Sequence, residues 1–535
     1  MRRRLIAVTV AAALLVTGTS AYTLGGDGMD DGAVVRTEYG EVKGSVEAEN
    51  RVFQGIPYAA PPVGDLRWAP PTKPAAWEGV RDATRPGSPC PQLPTPYGGE
   101  GSVDEDCLFL NVTAPRDATP GEPLPVMVWI HGNGSIGSGD VFDARRLAAS
   151  GEVAVVTLNY RMGVFGAFGH PDLPDSGTIG LQDQRAALRW VQDNIGAFGG
   201  DPANVTLFGV SFGATATAAH MIAPASRGLF HKAIMHSGFA TLDAPAGALY
   251  PQLGAIEHFG WKTSEENLAT GAMVAAELGC GEGTDAMACL RAKGVEELLA
   301  YPQVMNIFQT YAFGNAELPV LPETSLAAGD FADVPVMAGA TRDEHRTFVA
   351  IRALSGFPMT EPEYEPALRQ AFGDDWKAVA GQYPLTDYDG NAGLAYSAVM
   401  TDRMWAMNIQ RQNRLIAAHR PLYFFEFADQ EPPEEFPFPE DLPSGAYHNA
   451  DISYLFRSPE FTEQLRPDQR ELSEAMIGYW TRFARTGDPN TEGAPAWRPY
   501  ADGRQVLSLA PGSDGIAPVD YAAEHRLAFW EDLGV

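Results

Sequence analysis

The sequence predicts an α/β fold with a mostly parallel central sheet and helices on both of its faces. From about residue 125 onward, short runs rich in β-formers alternate with runs that have helical spacing, which is the pattern of strand–helix units in a parallel sheet. The composition, with 45% hydrophobic and 20% charged residues, is that of a globular chain. The 56 glycines and 42 prolines predict many long, well-defined loops between the elements.

The predicted elements are taken in chain order. Strands are predicted at 125–130, 152–160, 204–209, 232–238, 334–341 and 421–427, and helices at 180–198 and 211–222. Two helix-rich stretches, 245–330 and 350–420, interrupt this alternation. We expect them to be insertions over the carboxyl edge of the sheet, where a substrate cavity would lie. A chain of 535 residues is still compatible with one domain of this type, covering 22–535.

The first residues have the pattern of a secretory signal. Three arginines, at 2–4, precede a mostly apolar run from Leu5 to Val16, and the small residues Thr19 and Ala21 follow at the spacing of a cleavage site. The apolar run is too short to span a bilayer comfortably. We therefore expect a signal peptide over 1–21, cleavage near Ala21, and a secreted mature chain without a membrane span. An uncleaved membrane anchor is the alternative.

The four cysteines favour disulfides over a metal site. An even number of cysteines behind a signal peptide predicts pairing, and sequence proximity favours Cys90–Cys107 and Cys280–Cys289. Zinc is a poor alternative because the sequence has neither CxxC pairs nor clustered histidines. We expect no metal and no organic cofactor.

The charge of the chain argues against nucleic acid as a partner. The formal net charge is −30, and no basic patch follows the N-terminal arginines. Such a surface repels phosphates. The charge favours solubility, and we expect it to disfavour anionic substrates.

A candidate nucleophile lies between a predicted strand and a predicted helix. Residues Gly209-Val210-Ser211-Phe212-Gly213 form a G-x-S-x-G pattern directly after the strand NVTLFG. In a nucleophile elbow this context places the serine at a tight turn, with its hydroxyl exposed at the sheet edge. The unpaired N–H groups at the start of the following helix point toward developing negative charge. A helix-capping serine is the structural alternative.

A glycine-rich segment follows the strand at 125–130. It reads His131-Gly132-Asn133-Gly134-Ser135. Glycines let the backbone approach a bound carbonyl closely, so the main-chain N–H groups of Asn133 and Gly134, with that of Phe212, are the predicted oxyanion hole. A simple turn after a strand is the alternative.

Several long, ordered motifs occur along the chain. They are FQGIPYAAPPVGDLRW (53–68), SVDEDCLFLNV (102–112), NYRMGVFGAFG (159–169), GLQDQRAALRWVQDNIGAFGGDPANVTLFG (180–209) and FARTGDPN (483–490). Together they resemble the type-B carboxylesterase/lipase family, which includes cholinesterases and bacterial para-nitrobenzyl-type esterases. The resemblance covers nearly all of the mature chain and suggests a bacterial, secreted member. It implies an α/β-hydrolase fold and hydrolysis of carboxylic esters.

The resemblance also implies the partners of Ser211. The family acid lies in a Gly-x-x-x-(Asp/Glu)-Glu-Gly stretch, which here places Glu344 as the acid, with Asp343 as the alternative. The family histidine precedes an acidic residue and an aromatic pair, which here identifies His448, with Asp451 following. In this order His448 would take the proton of Ser211 and return it to the leaving alcohol, while Glu344 holds the imidazole. His345, beside the acid, is the most plausible false candidate for the base.

The chain departs from the family pattern at four positions. Val210 replaces a glutamate, which removes a carboxylate near the triad. Phe212 replaces an alanine, so its ring must occupy the wall of the cavity. Asn133 and His345 stand where the family usually has glycine, and asparagine tolerates positive φ better than most residues. These departures leave ester hydrolysis as the expected reaction and put the range of substrates in doubt.

The expected function is hydrolysis of small to medium neutral esters through an acyl-serine intermediate. One alternative is a non-enzymatic binding protein, because the family contains adhesion proteins that lack the nucleophile; the presence of Ser211, Glu344 and His448 argues against it. Another alternative is hydrolysis of amides or carbamates by the same three residues.

Overall fold

A computed structural model gives the architecture of the chain. It describes residues 33–94, 101–118, 122–173, 176–281, 283–301, 303–456, 465–501 and 505–534. The predicted signal peptide, 1–21, lies outside the described residues.

The described part of the chain contains strands in three sheets. They are β1 (Val34–Arg36), β2 (Glu41–Lys43), β3 (Ser45–Val46), β4 (Asn50–Pro57), β5 (Val80–Asp82), β6 (Phe109–Pro115), β7 (Leu124–Ile130), β8 (Ala154–Leu158), β9 (Gly200–Val210), β10 (Lys232–His236), β11 (Trp261–Thr263), β12 (Tyr311–Phe313), β13 (Val336–Thr341), β14 (Leu422–Phe427), β15 (Val506–Leu509) and β16 (Ile516–Val519).

The main sheet has eleven strands in the order β16-β15-β14-β13-β10-β9-β7-β8-β6-β4-β3. Its middle, from β15 to β8, is parallel, and the outer pairs at both edges are antiparallel. Central strands such as β7, β10 and β13 are buried along almost their whole length. Strands covered on both faces read as continuous apolar runs, which explains why these segments are recognisable in the sequence.

Helices surround this sheet. They are α1 (Arg145–Gly151), α2 (Gly163–Ala167), α3 (Ile179–Asn194), α4 (Phe212–Ile222), α5 (Ser264–Glu277), α6 (Ala286–Arg291), α7 (Val295–Leu299), α8 (Val304–Ile307), α9 (Pro322–Ala328), α10 (Arg346–Leu354), α11 (Glu361–Phe372), α12 (Trp376–Gln382), α13 (Ala392–Met400), α14 (Met407–Ala417), α15 (Pro467–Thr486), α16 (Tyr521–Glu524) and α17 (Leu527–Leu533). A π-helical segment, Thr401–Ala406, joins α13 to α14.

Short 3₁₀ helices complete the secondary structure. They lie at Gly64–Leu66, Gly139–Val141, Ile195–Phe198, Pro224–Ser226, Gly373–Asp375, Leu385–Tyr388 and Ile452–Tyr454.

The predicted α/β fold is confirmed, and the structure adds elements that the sequence pattern did not reveal. The predicted strands correspond to β7, β8, β9, β10, β13 and β14, and the predicted helices to α3 and α4. The antiparallel edges and the small sheet of β11 and β12 were not predicted. Most of these unpredicted strands have only two to four residues and carry too little periodicity to be recognised. The exceptions are β4 and β6, with eight and seven residues, which the sequence pattern also did not reveal. No helix among the described residues is long and apolar enough to cross a membrane.

Two disulfides hold loops next to the sheet. Cys90 is bonded to Cys107, and Cys280 is bonded to Cys289. Cys107 is buried immediately before β6, so the first disulfide fastens the preceding loop to an inner strand of the sheet. The second joins the end of α5 to α6.

Candidate active site

Several strands of the parallel region end at one edge, and the segments that follow them build the site. Ser211 follows β9, the 131–135 segment follows β7, and Glu344 follows β13. The loop that carries His448 comes after β14. Because the carboxyl ends of parallel strands meet at one edge of a sheet, residues distant in sequence lie together there.

Ser211 occupies a strained turn between β9 and α4. Its backbone angles are φ 55° and ψ −120°, a region that residues with a side chain rarely adopt. The turn is held because the Ser211 N–H donates to the carbonyl of His236 over 2.8 Å. A strained serine at a strand-to-helix turn is the geometry of a nucleophile elbow.

The close approach of α4 to β7 requires glycine at 213. A Cβ atom on Gly213 would lie 2.1 Å from the carbonyl oxygen of Ile130, and a Cβ on Gly209 would lie 2.6 Å from Gly213. Both distances are far below any normal contact, so the two glycines of the motif are sterically required.

His448 and Glu344 form a direct hydrogen bond. Nδ1 of His448 donates to a carboxylate oxygen of Glu344 over 2.5 Å, and both side chains are at most 4% exposed. The other oxygen of Glu344 accepts from the backbone N–H of Thr341 over 2.9 Å. Nε2 of His448 is buried and has no hydrogen-bond partner within the described residues. The imidazole is therefore oriented by the hydrogen bond at Nδ1, while Nε2 remains free to accept a proton.

Asp343, the alternative acid, faces a different partner. Its carboxylate pairs with Arg346 at 2.8 Å and accepts from the backbone N–H of Ala446 at 3.0 Å. The Asp343 N–H in turn donates to the Ala446 carbonyl over 2.9 Å. Asp343 therefore fastens the loop two residues before His448, and Glu344 contacts the imidazole itself.

A second buried histidine–carboxylate pair lies behind the elbow. Nδ1 of His236 donates to Asp451 over 2.6 Å, and the indole N–H of Trp480 donates to Nε2 of His236 over 2.9 Å. Because an indole nitrogen can only donate, His236 must accept at Nε2 and is a neutral imidazole. The backbone of His236 holds Ser211 and its side chain holds Asp451, three residues after His448. Sequence analysis noted Asp451 but missed His236, because nothing in the strand KAIMHSG marks its partner.

The candidate oxyanion segment after β7 contains a tight backbone turn. Asn133 has φ 73°, and the Gly134 N–H donates to the Gly132 carbonyl over 3.1 Å, which together describe a γ-turn with positive φ. The Asn133 side chain accepts from the Ser135 hydroxyl over 2.7 Å and from Gln309 over 3.3 Å. Asparagine therefore replaces glycine here at a position that does require positive φ.

Phe212 contributes both a backbone donor and a wall of the site. As the first residue of α4, its N–H has no acceptor within the helix. Its ring stacks on Tyr311 with the centroids 4.9 Å apart, and a Cβ on Gly134 would lie 2.7 Å from this ring. The large residue at 212 is accommodated because residue 134 lacks a side chain.

The other histidines considered near the site have structural partners. His131 stacks on Tyr160 with the centroids 4.5 Å apart, and burial lowers the pKa of His131 to about 4. His345 bonds the carbonyl of Ala248 over 3.1 Å, and burial lowers the pKa of His345 to about 3. His345 has φ −81°, so its position does not need the glycine that the family usually has. The hydrogen bonds of both rings to oxygen go to backbone carbonyls, whereas the ring of His448 is bonded to a carboxylate.

Val210, the fourth departure, is buried in the core beside the elbow. It is 2% exposed and lies opposite His236 in the pairing of β9 with β10. The aliphatic side chain replaces a carboxylate, while the carboxylate of Asp451 is held nearby through His236.

Comparisons with known proteins agree with this fold. The Carboxylesterase family matches residues 31–530. Cocaine esterase of Oryctolagus cuniculus is 35% identical, with 92% of this chain and 94% of that protein covered. Para-nitrobenzyl esterase of Bacillus subtilis (strain 168) is also 35% identical, with 89% of this chain and 94% of that protein covered.

Solved structures give the same result. A PNB esterase structure superposes with a TM-score of 0.72 at 34% identity, covering 93% of this chain and 99% of that one. Matches of this extent, in sequence and in fold, establish membership of the family as well as a shared architecture. The chain belongs to the carboxylesterase family and is a serine hydrolase that cleaves carboxylic esters.

Proposed function

We propose that Ser211, His448 and Glu344 form the catalytic triad of this esterase. The observation that carries the proposal is the 2.5 Å bond from Nδ1 of His448 to Glu344, which leaves Nε2 unpartnered among the described residues. This nitrogen is suited to accept the proton of Ser211. The hydrogen bond between base and nucleophile is absent from the described structure, and such bonds often tighten only when substrate is bound.

In the proposed reaction Oγ of Ser211 attacks the ester carbonyl and its proton passes to Nε2 of His448. The resulting imidazolium returns the proton to the leaving alcohol, and water later releases the acyl group by the same route. The Glu344 carboxylate holds the ring and stabilises its charged form. Donors aimed at the developing oxyanion contribute a large part of the rate in such reactions.

The proposed oxyanion hole consists of the N–H groups of Asn133, Gly134 and Phe212. The Gly134 N–H is bonded to the carbonyl of Gly132, so the turn must open slightly when the oxyanion forms. A Cβ on Gly132 would lie 3.2 Å from the Cβ of Ser211, and this proximity supports a role for the segment beside the nucleophile.

The proposed substrates are neutral esters with small to medium acyl and alcohol parts. Aromatic side chains lie beside the proposed triad. Phe348 and Trp405 pack against the ring of His448. Phe212, which directly follows Ser211, stacks on Tyr311. Apolar walls of this kind favour uncharged groups, and the name of one relative, para-nitrobenzyl esterase, refers to an ester with an aromatic part.

The deciding experiment is Ser211→Ala, which we expect to abolish turnover of para-nitrophenyl esters and labelling by an organophosphonate. The fold should remain, because the small side chain at 211 makes no hydrogen bond on which the sheet depends. Unfolding temperature and circular dichroism serve as controls. Turnover at the wild-type rate in this variant would refute the proposed nucleophile.

We further propose that the mature chain, 22–535, is a secreted single domain whose helix-rich stretches 245–330 and 350–420 are insertions. One main sheet with strands from Ser45 to Val519, and two disulfides, support this proposal. Mass spectrometry of the exported protein should find an N terminus at or near Tyr22. An N terminus at Met1 would contradict the cleavage.

A further inference from the structure

His345, where the family usually has glycine, is fully buried next to Glu344, and its backbone N–H and both ring nitrogens form hydrogen bonds. The backbone N–H donates to Oγ1 of Thr401 over 3.0 Å, and the ring Nε2 lies 3.1 Å from the carbonyl of Ala248. Its Nδ1 accepts from the indole N–H of Trp405 over 3.3 Å. Since a carbonyl only accepts and an indole N–H only donates, the proton of the neutral ring sits on Nε2. His345 therefore fixes the orientation of Trp405.

Trp405 and Thr401 belong to the π-helical segment Thr401–Ala406. Single π-helical turns are uncommon and occur frequently at functional sites. His345 contacts this segment at both positions, so the irregular turn is tied to the residue that directly follows Glu344.

The indole ring of Trp405 lies against the ring of His448. Their centroids are 4.8 Å apart, with an angle of 46° between the planes. Phe348 lies 5.2 Å from His448 and stacks on Trp405 at 5.3 Å. The imidazole therefore rests on an aromatic platform, which we define as Trp405 and Phe348. Trp405 itself is 1% exposed, so water does not screen this contact.

We propose that Trp405, oriented by His345, is a positioning residue that stabilises the imidazolium form of His448 during catalysis. The inference rests on the proposed function of His448. As the bond from Oγ of Ser211 to the carbonyl carbon forms, the Oγ proton moves to Nε2 and the carbonyl electron pair moves to oxygen. The face of an indole ring attracts the positive charge that appears on the imidazole, and it does so most strongly away from water. Trp405 transfers no proton and forms no covalent bond during the reaction.

The first test replaces the ring. Trp405→Leu should lower kcat about ten- to thirty-fold, the effect of one desolvated cation–π contact, and should change KM little. Trp405→Phe keeps an aromatic ring face and should therefore show a smaller decrease in kcat. Active-site titration with a phosphonate corrects each rate for the fraction of folded enzyme.

A transition-state analogue separates this role from a structural one. Aryl trifluoromethyl ketones add to a catalytic serine and leave the histidine protonated. Their inhibition constant should therefore rise in Trp405→Leu by the factor by which kcat/KM falls. A loss of kcat without any change in the affinity for the ketone would overturn the proposal.

Two variants of His345 test the orientation and form a matched pair. His345→Asn keeps an acceptor near the position of Nδ1, facing Trp405, and His345→Gln keeps a donor near Nε2, facing Ala248. We expect the Asn variant to retain most of the activity and the Gln variant to lose about as much as Trp405→Leu, roughly tenfold or more. Equal activity in the two variants would show that the bond to Trp405 does not matter.

The outcomes distinguish the two proposals. If Ser211→Ala keeps turnover, the proposed function fails. If Ser211→Ala is inactive while Trp405→Leu retains the wild-type kcat, the proposed function stands and the role of Trp405 is refuted.

Discussion

At the scale of single residues, the site combines a strained backbone at Ser211 with side chains whose orientation is fixed by their hydrogen-bond partners. Ser211 is held at φ 55°, in a conformation that costs about 1–3 kcal/mol and persists only where its surroundings enforce it. The carbonyl of His236 and the close contact of Gly213 with Ile130 supply that enforcement. In a nucleophile elbow such a turn exposes the serine hydroxyl at the sheet edge.

The pair formed by Glu344 and His448 leads to a prediction on activity. Glu344→Gln should lower kcat roughly 10⁴-fold, because an amide favours the wrong tautomer of the imidazole and does not stabilise its charge. Steady-state kinetics with para-nitrophenyl esters measures the loss. Asp343→Asn is the matched control and should lose far less, since Asp343 contacts the loop and not the ring. The opposite ranking would identify Asp343 as the acid.

A buried histidine outside the site leads to a prediction on stability. His525 bonds Asp402 and Glu426, each over 2.6 Å. Burial is the largest single influence and opposes the charge, but the hydrogen bonds and charges of the two carboxylates outweigh it and raise the pKa of His525 to about 10. The folded-state pKa of His525 thus lies above its ordinary value of 6.5.

For a group whose pKa is raised by folding, the stabilisation is complete below the unfolded pKa and disappears as the pH rises through the folded pKa. The difference in free energy of unfolding between the wild type and His525→Gln should be largest below about pH 6.5 and should shrink as the pH rises toward 10. Urea unfolding at several pH values measures it, with the exposed His419→Gln as control. A difference that stays constant with pH would contradict the prediction.

At the scale of elements, the site depends on contacts between segments that are distant in sequence. The side chain of His236, at the end of β10, holds Asp451 in the loop of His448 and accepts from Trp480 in α15. Asp343, after β13, holds the same loop through Ala446. The loop of His448, the proposed base, is therefore fastened on both sides of this residue, which limits the positions that its imidazole can take.

The disulfides lead to a prediction at the same scale. Replacing both Cys90 and Cys107 by serine should lower the free energy of unfolding by about 3 kcal/mol, because a closed loop of 17 residues restricts the unfolded chain. Replacing Cys280 and Cys289, only 9 residues apart, should cost less. Urea unfolding measures both losses. A larger loss for the shorter loop would show that chain entropy does not dominate.

At the scale of the whole molecule, the net charge of −30 affects which substrates approach. Hydrolysis of an ester that carries a carboxylate should accelerate, by up to about tenfold, as ionic strength rises from about 10 to 150 mM, because salt screens the repulsion. A neutral ester with the same leaving group is the control and should respond little. Equal salt dependence of kcat/KM for both esters would exclude long-range repulsion as the cause.

The sequence by itself determined the central sheet and the candidate nucleophile Ser211, whereas Glu344 and His448 were indicated only by the resemblance to a known family. Strands that are buried on both faces have continuous apolar sequences. The tight turn at Ser211 permits only glycine at 209 and 213. These are local demands, so they are visible in local patterns. The glycine-rich segment around Asn133 is recognisable for the same reason.

Only the tertiary structure decided what surrounds these residues. The pairing of His236 with Asp451 and Trp480, the bond from His345 to Trp405, and the aromatic platform under His448 all join segments far apart in the chain. No periodicity or spacing encodes such contacts, because they arise from the packing of helices and loops over the sheet edge. The sequence and its family resemblance therefore indicate the proposed reacting groups, while the environment that tunes them depends on the folded arrangement.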